Sequence, residues 1–391
     1  MAHYLVLGAG KMGVVLAKDL IVSDPECQVT LVDIDFERLN QASAFIGSDR
    51  LVPLQRDMED EGQRMEVLEG KDVAVCALLH AQSLISLDAA VARGVHYIDL
   101  VGEAPLRRMD YDERAKEKGI VVISGLGVSP GITNICVGRA VYLLDRAEKG
   151  IVGVGGVPVV PKPPLNYRIV YAVESLLGLY EREVSILKDG KIEKVEPLTG
   201  LEKMEFAEPF SDMECFYTDG LNSMTYTLQG KIGDLAEKTI RHRGHVEGVE
   251  VLKACGLFSR EIVEVDGLEV SPRRVLETVL DKRMRLGDEK DATLLRIEVS
   301  GKKAGDSVKH VFEMVDYYES EHHYTSMGKT TSFPASIGAQ MIMSGQITQR
   351  GVVFPENVFD ADLYDPFMGA LAARGVTVSH EVRLASLEVK S

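Results

Sequence analysis

From residue 3 to residue 124 the chain alternates short apolar runs with longer stretches of helical period. The runs at residues 4–7, 28–32, 50–54, 73–78, 96–98 and 121–124 read as strands, with helices filling the gaps. Parallel strands are covered on both faces, so they carry apolar residues at nearly every position, and crossover helices must separate them. Six such units predict a doubly wound sheet, whose ligands gather beyond the carboxyl ends of the strands.

Helical period resumes after Gly131 and extends to about residue 149; Gly and Pro then punctuate residues 153–164, which marks a domain boundary. Downstream, residues 183–188 and 191–195 flank Asp189-Gly190, the pair that suits a two-residue hairpin turn. Residues 292–300 and 308–317 suggest a second antiparallel pair. Residues 332–343 look helical and stop at Gly345, and Pro366 suits the first turn of a helix closing at Gly375. The expected fold is α/β: a doubly wound Rossmann domain plus an α+β domain with a largely antiparallel sheet. At 391 residues the chain exceeds what one core usually serves, which agrees with two domains.

A net charge of -16 argues against nucleic acid as a partner, since backbone affinity needs clustered Lys and Arg. No basic and apolar leader precedes the first strand, and the apolar stretch at residues 151–161 is too short and too rich in Gly and Pro to span a bilayer. A cytoplasmic protein with no membrane partner is therefore expected. Cys27, Cys76, Cys136, Cys215 and Cys255 are odd in number and scattered, as buried thiols in a reducing compartment would be.

Gly8-Ala9-Gly10-Lys11-Met12-Gly13 follows the first strand and opens the first helix, the context that gives a Gly-x-Gly-x-x-Gly match its meaning. The first glycine permits the turn, the second lets backbone approach a pyrophosphate, and the third lets helix and strand pack closely. Asp33, twenty residues after Gly13, is placed to accept from ribose hydroxyls and to repel a 2′-phosphate, which favours NAD over NADP. Asp57 either caps the adenine pocket or sits in a surface turn. Ala77, Leu78 and His80, beyond the fourth strand, are expected beside the nicotinamide ribose. Lys11 reads more as a solvated helix-start residue than as a phosphate ligand.

Further stretches carry a family likeness: His96-Tyr97-Ile98-Asp99, Gly127-Val128-Ser129-Pro130-Gly131-Ile132-Thr133-Asn134 and Lys238-Thr239-Ile240-Arg241-His242-Arg243-Gly244-His245. With them the chain resembles the saccharopine dehydrogenase-like family over nearly its full length. Tyr217-Thr218-Asp219-Gly220-Leu221-Asn222-Ser223, and Gly156-Val157-Pro158 leading to Tyr167-Arg168, resemble its L-lysine 6-dehydrogenase branch. The resemblance implies NAD-dependent oxidation of the L-lysine side-chain amine, releasing ammonia and 2-aminoadipate 6-semialdehyde, which cyclises to piperideine-6-carboxylate. It also implies that residues 131–330 form an inserted substrate and oligomerisation domain, while residues 331–391 return to the Rossmann unit of residues 1–130. Where the saccharopine-reducing relatives carry a cysteine just before the Gly-x-x-x-Pro-Gly stretch, this chain has Leu126, so the resemblance does not carry their substrate contacts over directly.

Amine oxidation needs a neutral nitrogen lone pair, so a group that titrates near neutrality is sought. His245 is the first candidate for proton transfer and Asp99, at the end of the fifth strand, the second, with Glu103 nearby. Arg241 is the candidate grip for a substrate carboxylate. The competing readings are a basic helix end for the Lys238 to His245 cluster and a helix cap for Asp99. Tyr217, Asp219 and Asn222 are candidates for the amino-acid head, although Asp219-Gly220 is also an ordinary turn pair. His322 and His323 are adjacent and lack the spacing of a metal pair, so no metal is expected. Two other functions compete: a saccharopine-type or polyamine-forming reductase that joins amine to carbonyl, and a non-catalytic NAD-binding redox sensor. A homodimer is expected, because edge strands in the second domain need covering.

Overall fold

The computed structural model describes residues 1–384 apart from Glu103 and the side chain of His80. The first six strands are β1 (His3–Leu7), β2 (Gln28–Asp33), β3 (Leu51–Gln55), β4 (Val73–Cys76), β5 (His96–Asp99) and β6 (Val121–Ser124), each within two residues of its predicted bounds. All pair in parallel, and β1 to β5 are joined by helices such as Lys11–Ser23 and His80–Arg93.

The second sheet is built from β7 (Arg146–Pro158), β8 (Val184–Lys188), β9 (Lys191–Val195), β10 (Glu202–Met204), β11 (Met213–Tyr217) and β12 (Ile232–His242). After a small separate hairpin, β13 (Val263–Val265) and β14 (Leu268–Val270), it gains β15 (Asp291–Lys303) and β16 (Asp306–Tyr317). Its path runs β10-β11-β12-β7-β15-β16, with β8 beside β12 and β9 beside β8. Both predicted hairpins form, and Asp189 and Gly190 take φ of 50° and 73° as that turn requires. The β12–β7 pair is parallel, so the sheet is mixed, though largely antiparallel.

The helix expected up to residue 149 ends sooner, spanning Ile132–Leu143, and the first half of the stretch taken for a boundary, residues 153–158, belongs to the central strand β7. Its glycines serve packing. A Cβ on Gly155 would lie 2.2 Å from the carbonyl oxygen of Ile240, so β12 can approach only because that atom is missing.

The C-terminal part then returns to the first sheet. Thr325 accepts from Gly328 N–H to cap the helix Ser326–Met343, which begins six residues before the apolar period suggests. This helix lies along Lys11–Ser23, with the Ser332 hydroxyl donating to Met12 O at 2.8 Å, and Arg374 donates to both Asp19 oxygens at 3.0 Å. β17 (Gly351–Val353) pairs with β6, giving the order β17-β6-β5-β4-β1-β2-β3. The last described strand, β18 (Ser379–Leu384), departs from that unit and pairs with β16 on the second sheet.

Of the cysteines, Cys27, Cys76, Cys136 and Cys215 are buried thiols, whereas Cys255 is exposed. Among the described residues no helix is long and apolar enough to cross a membrane.

Candidate active site

A cleft of about 1770 Å³ separates the carboxyl edge of the first sheet from one face of β12. Gly8, Gly10, Lys11 and Met12 line its floor, Asp33 and Asp57 one end, and Ala77 and Leu78 the region beyond β4. Gly13 does not reach the cleft. A Cβ there would fall 1.8 Å from Gly8 O, so its role is to close helix onto strand. A Cβ on Gly10, by contrast, would meet no protein atom within 4 Å, leaving the helix N-terminus open to a phosphate.

Asp33 is nearly buried and both of its oxygens accept backbone N–H groups, from Ala9 at 2.7 Å and Asp35 at 2.9 Å. It therefore fixes the glycine loop while its carboxylate stays at the cleft wall. Asp57 accepts from Glu59 N–H at 2.8 Å, so it is both a turn residue and part of the lining. Lys11 is the first residue of its helix and exposed, as the solvated helix-start reading has it, and it also borders the cleft, where desolvation lowers its pKa. His80 opens its helix; its side chain and Glu103 lie outside the described residues. The glycine loop, its open helix end and the acid at the end of β2 fit a dinucleotide.

The opposite wall comes from β12. A strand points alternate residues to opposite faces, and here Glu237, Thr239 and Arg241 face the cleft while Lys238 donates to Gly200 O at 2.6 Å on the other side. The Lys238 to His242 cluster is thus a strand and not a basic helix end. Arg241 is buried, lies over the Tyr167 ring at 4.5 Å and donates to the Tyr171 hydroxyl at 3.3 Å. Among the described residues it makes no ion pair, and its Nε has no hydrogen-bond partner.

His245 is displaced from its expected role. It is wholly buried, and its Nδ1 meets Leu165 O at 2.8 Å. A carbonyl only accepts, so Nδ1 carries the proton and Nε2 accepts from the Tyr180 hydroxyl at 2.8 Å. Burial and the nearby Arg241 charge push its pKa down to about 3. A neutral ring with both nitrogens engaged cannot shuttle protons to the cleft; it fixes the aromatic bed under Arg241.

Asp99 is likewise buried, ion-paired with Arg108 at 2.8 Å, and accepts from Val101 and Gly102 N–H at 3.1 and 2.6 Å. It anchors the loop after β5 away from the cleft and does not cap the next helix, which begins at Pro105 with no side-chain cap. Tyr217 also turns away, lying under Lys238 at 4.7 Å. Asp219 and Asn222 do line the cleft, with burial raising the Asp219 pKa, and Asn222 Nδ2 donates to Val101 O at 3.4 Å across to the first sheet.

The sequence reading missed Glu237. It is 4% exposed, and the Ser129 hydroxyl lies 2.9 and 3.0 Å from its two oxygens. Burial first, then the Asp219 charge, raises its pKa to about 8. The signal was available in the period of two that relates it to Thr239 and Arg241.

Against known families, residues 4–123 match the saccharopine dehydrogenase NADP binding domain and residues 127–376 the saccharopine dehydrogenase C-terminal domain. The chain belongs to the saccharopine dehydrogenase family. Carboxyaminopropylagmatine dehydrogenase of Synechocystis sp. is 23% identical, covering 98% of both chains. The NADP-dependent, L-glutamate-forming saccharopine dehydrogenase of Pyricularia oryzae is 21% identical, covering 90% of this chain and 92% of its own. Among solved structures, the apo L-Glu-forming saccharopine dehydrogenase of Saccharomyces cerevisiae superposes with a TM-score of 0.80 at 18% identity, over 98% of this chain and all of that one, which shows the shared fold. The chain is thus an oxidoreductase of a family with a pyridine-nucleotide-binding domain. These relatives establish the family and not its lysine 6-dehydrogenase branch.

Proposed function

We propose that the protein is an NAD-dependent amino-acid dehydrogenase acting on a CH–NH2 group, converting the side-chain amine of L-lysine to the 6-semialdehyde and ammonia. The observation that carries this reading is Arg241, a buried guanidinium without an ion pair among the described residues, in the same cleft as the glycine loop. Leaving such a charge uncompensated costs several kcal/mol, which an incoming substrate carboxylate offsets through paired N–H donors. Asp219 and Glu237 supply the opposite sign for a cationic nitrogen. Glu237 touches Ser129, beyond β6, so the amine end belongs at the Rossmann edge and the carboxylate end near Arg241.

A bound nicotinamide supplies the hydride acceptor. The preference for NAD rests on Asp33, whose charge opposes a 2′-phosphate. Arg241 holds the carboxylate; Asn222 and Asp219 border the chain of the substrate. We also propose a cytoplasmic homodimer, supported by the absence of a disulfide among the described cysteines and by the exposed edge strand β18; light scattering that gives a monomer mass would remove the dimer.

The full-length likeness to the carboxyaminopropylagmatine and saccharopine enzymes favours a second reading, in which an amine and a carbonyl compound are joined reductively. Incubation with NAD or NADP and L-lysine, saccharopine, L-ornithine or putrescine separates them. The first reading predicts reduced NAD and free ammonia with L-lysine; turnover confined to saccharopine, without ammonia, supports the second. Nucleotide binding without turnover would favour a redox sensor.

A further inference from the structure

Resting on the amine-oxidation reading, we propose that Glu237 is the group that takes the proton from the substrate's ammonium nitrogen, with Ser129 and Gly220 as its positioning residues. Oxidation cannot start from an ammonium, because its nitrogen lone pair is held by a proton. The acceptor must therefore face the cleft at the end where the nicotinamide belongs. Neither His245 nor Asp99 does so, since both are sealed off and already bonded.

Glu237 meets the requirement by construction. β12 aims it at the cleft, and Ser129, in the loop after β6, reaches both of its oxygens. The chain after β11 makes room for it. A Cβ on Gly220 would fall 1.7 Å from Glu237 Oε1, so any larger residue would force the carboxyl to move.

The surroundings favour the neutral acid until a cation arrives. β7 presents Val152 beside Glu237. Asp219 is the charged group acting on it, and Asp219 itself faces Arg182, Lys194 and Glu183. A carboxyl buried beside another carboxylate is reluctant to ionise; an ammonium placed against the pair reverses this. The steps then balance. Arrival of the ammonium expels the resting Glu237 proton to solvent. The carboxylate next takes one N–H proton, the carbon gives a hydride to the oxidised nicotinamide, and the iminium adds water to yield aldehyde and ammonia. The nitrogen leaves as ammonium, and Glu237 keeps the proton it took, which restores the resting acid; the one proton released overall is the one expelled on binding.

The test is calorimetric titration of L-lysine into the protein saturated with NADH, at pH 7 in buffers of different ionisation enthalpy, with wild type and Glu237→Gln. Wild type should release nearly one proton per lysine bound, and the variant none, with NADH affinity unchanged. Equal proton release from both, or none from wild type, would overturn the assignment. In turnover, the kcat/KM limb rising through about pH 8 should vanish in Glu237→Gln, and a limb that persists would also overturn it. Proton release without NAD-dependent oxidation of lysine would keep Glu237 as the ammonium-responsive acid and discard the lysine reaction instead.

Discussion

At the level of single residues, the two walls of the cleft divide the work. Asp33 shapes the nucleotide loop by accepting from Ala9 N–H, so Asp33→Ala should weaken NAD binding about tenfold, read by quenching of NADH fluorescence. Arg241→Lys keeps the charge but loses the planar fork; KM for lysine should rise roughly 10- to 100-fold while NADH affinity holds. An unchanged KM would show that Arg241 is only part of the aromatic core over Tyr167. His245 supports Arg241 from behind through Tyr180 and should leave no trace in the pH profile, since its pKa of about 3 lies far below the working range. Sequence could name Arg241 and His245 together; it could not tell which of the two faces substrate, because that depends on Arg241 lying in β12 and His245 opening the helix His245–Ala254.

At the level of elements, the Rossmann strands were legible because most are buried on both faces and read as apolar runs, the edge strand β3 being the exposed exception. The hairpin at Asp189-Gly190 was legible from turn chemistry. β7 was not, since Gly153, Gly155 and Gly156 imitate a linker, while in the fold Gly155 admits the β12 backbone and Gly153 and Gly156 make room for Met204 and Met327. Gly155→Val should cost about 1–3 kcal/mol and lower Tm by several degrees, because β12 would have to move aside. The helix Ser326–Met343 hid its first turn for another reason: its buried face is polar there, with Lys329 paired to Asp316 at 2.9 Å. Burial raises the Asp316 pKa from 3.8 to about 6 despite that partner. A carboxyl with a raised folded pKa favours folding while protonated, so its contribution is present below pH 3.8 and lost as pH rises through about 6. Lys329→Met should raise that pKa further and extend the loss to higher pH, measurable as Tm across a pH series.

At the level of the whole molecule, the substrate wall and the nucleotide wall come from different sheets, tied by Ser129 to Glu237 and by Asn222 to Val101. The fold class and the nucleotide end could be read from the chain. The proton-transfer residue could not, because Glu237 acquires its meaning only when Ser129 and Gly220, distant in sequence, close around it. Nucleotide that binds only the folded state should stabilise it by about 2.7 kcal/mol at a hundredfold excess over Kd, and NAD should do so at lower concentration than NADP. The reverse order would place the 2′-phosphate in the Asp33 end of the cleft and withdraw the NAD preference.

The most direct test of the reaction uses L-lysine carrying ¹⁵N only on its side-chain nitrogen, with oxidised NAD and the full-length protein. One labelled ammonia is expected for each NADH formed. Unlabelled ammonia would place the α-amine at the reacting end of the cleft, and NADH without ammonia would contradict oxidative deamination altogether.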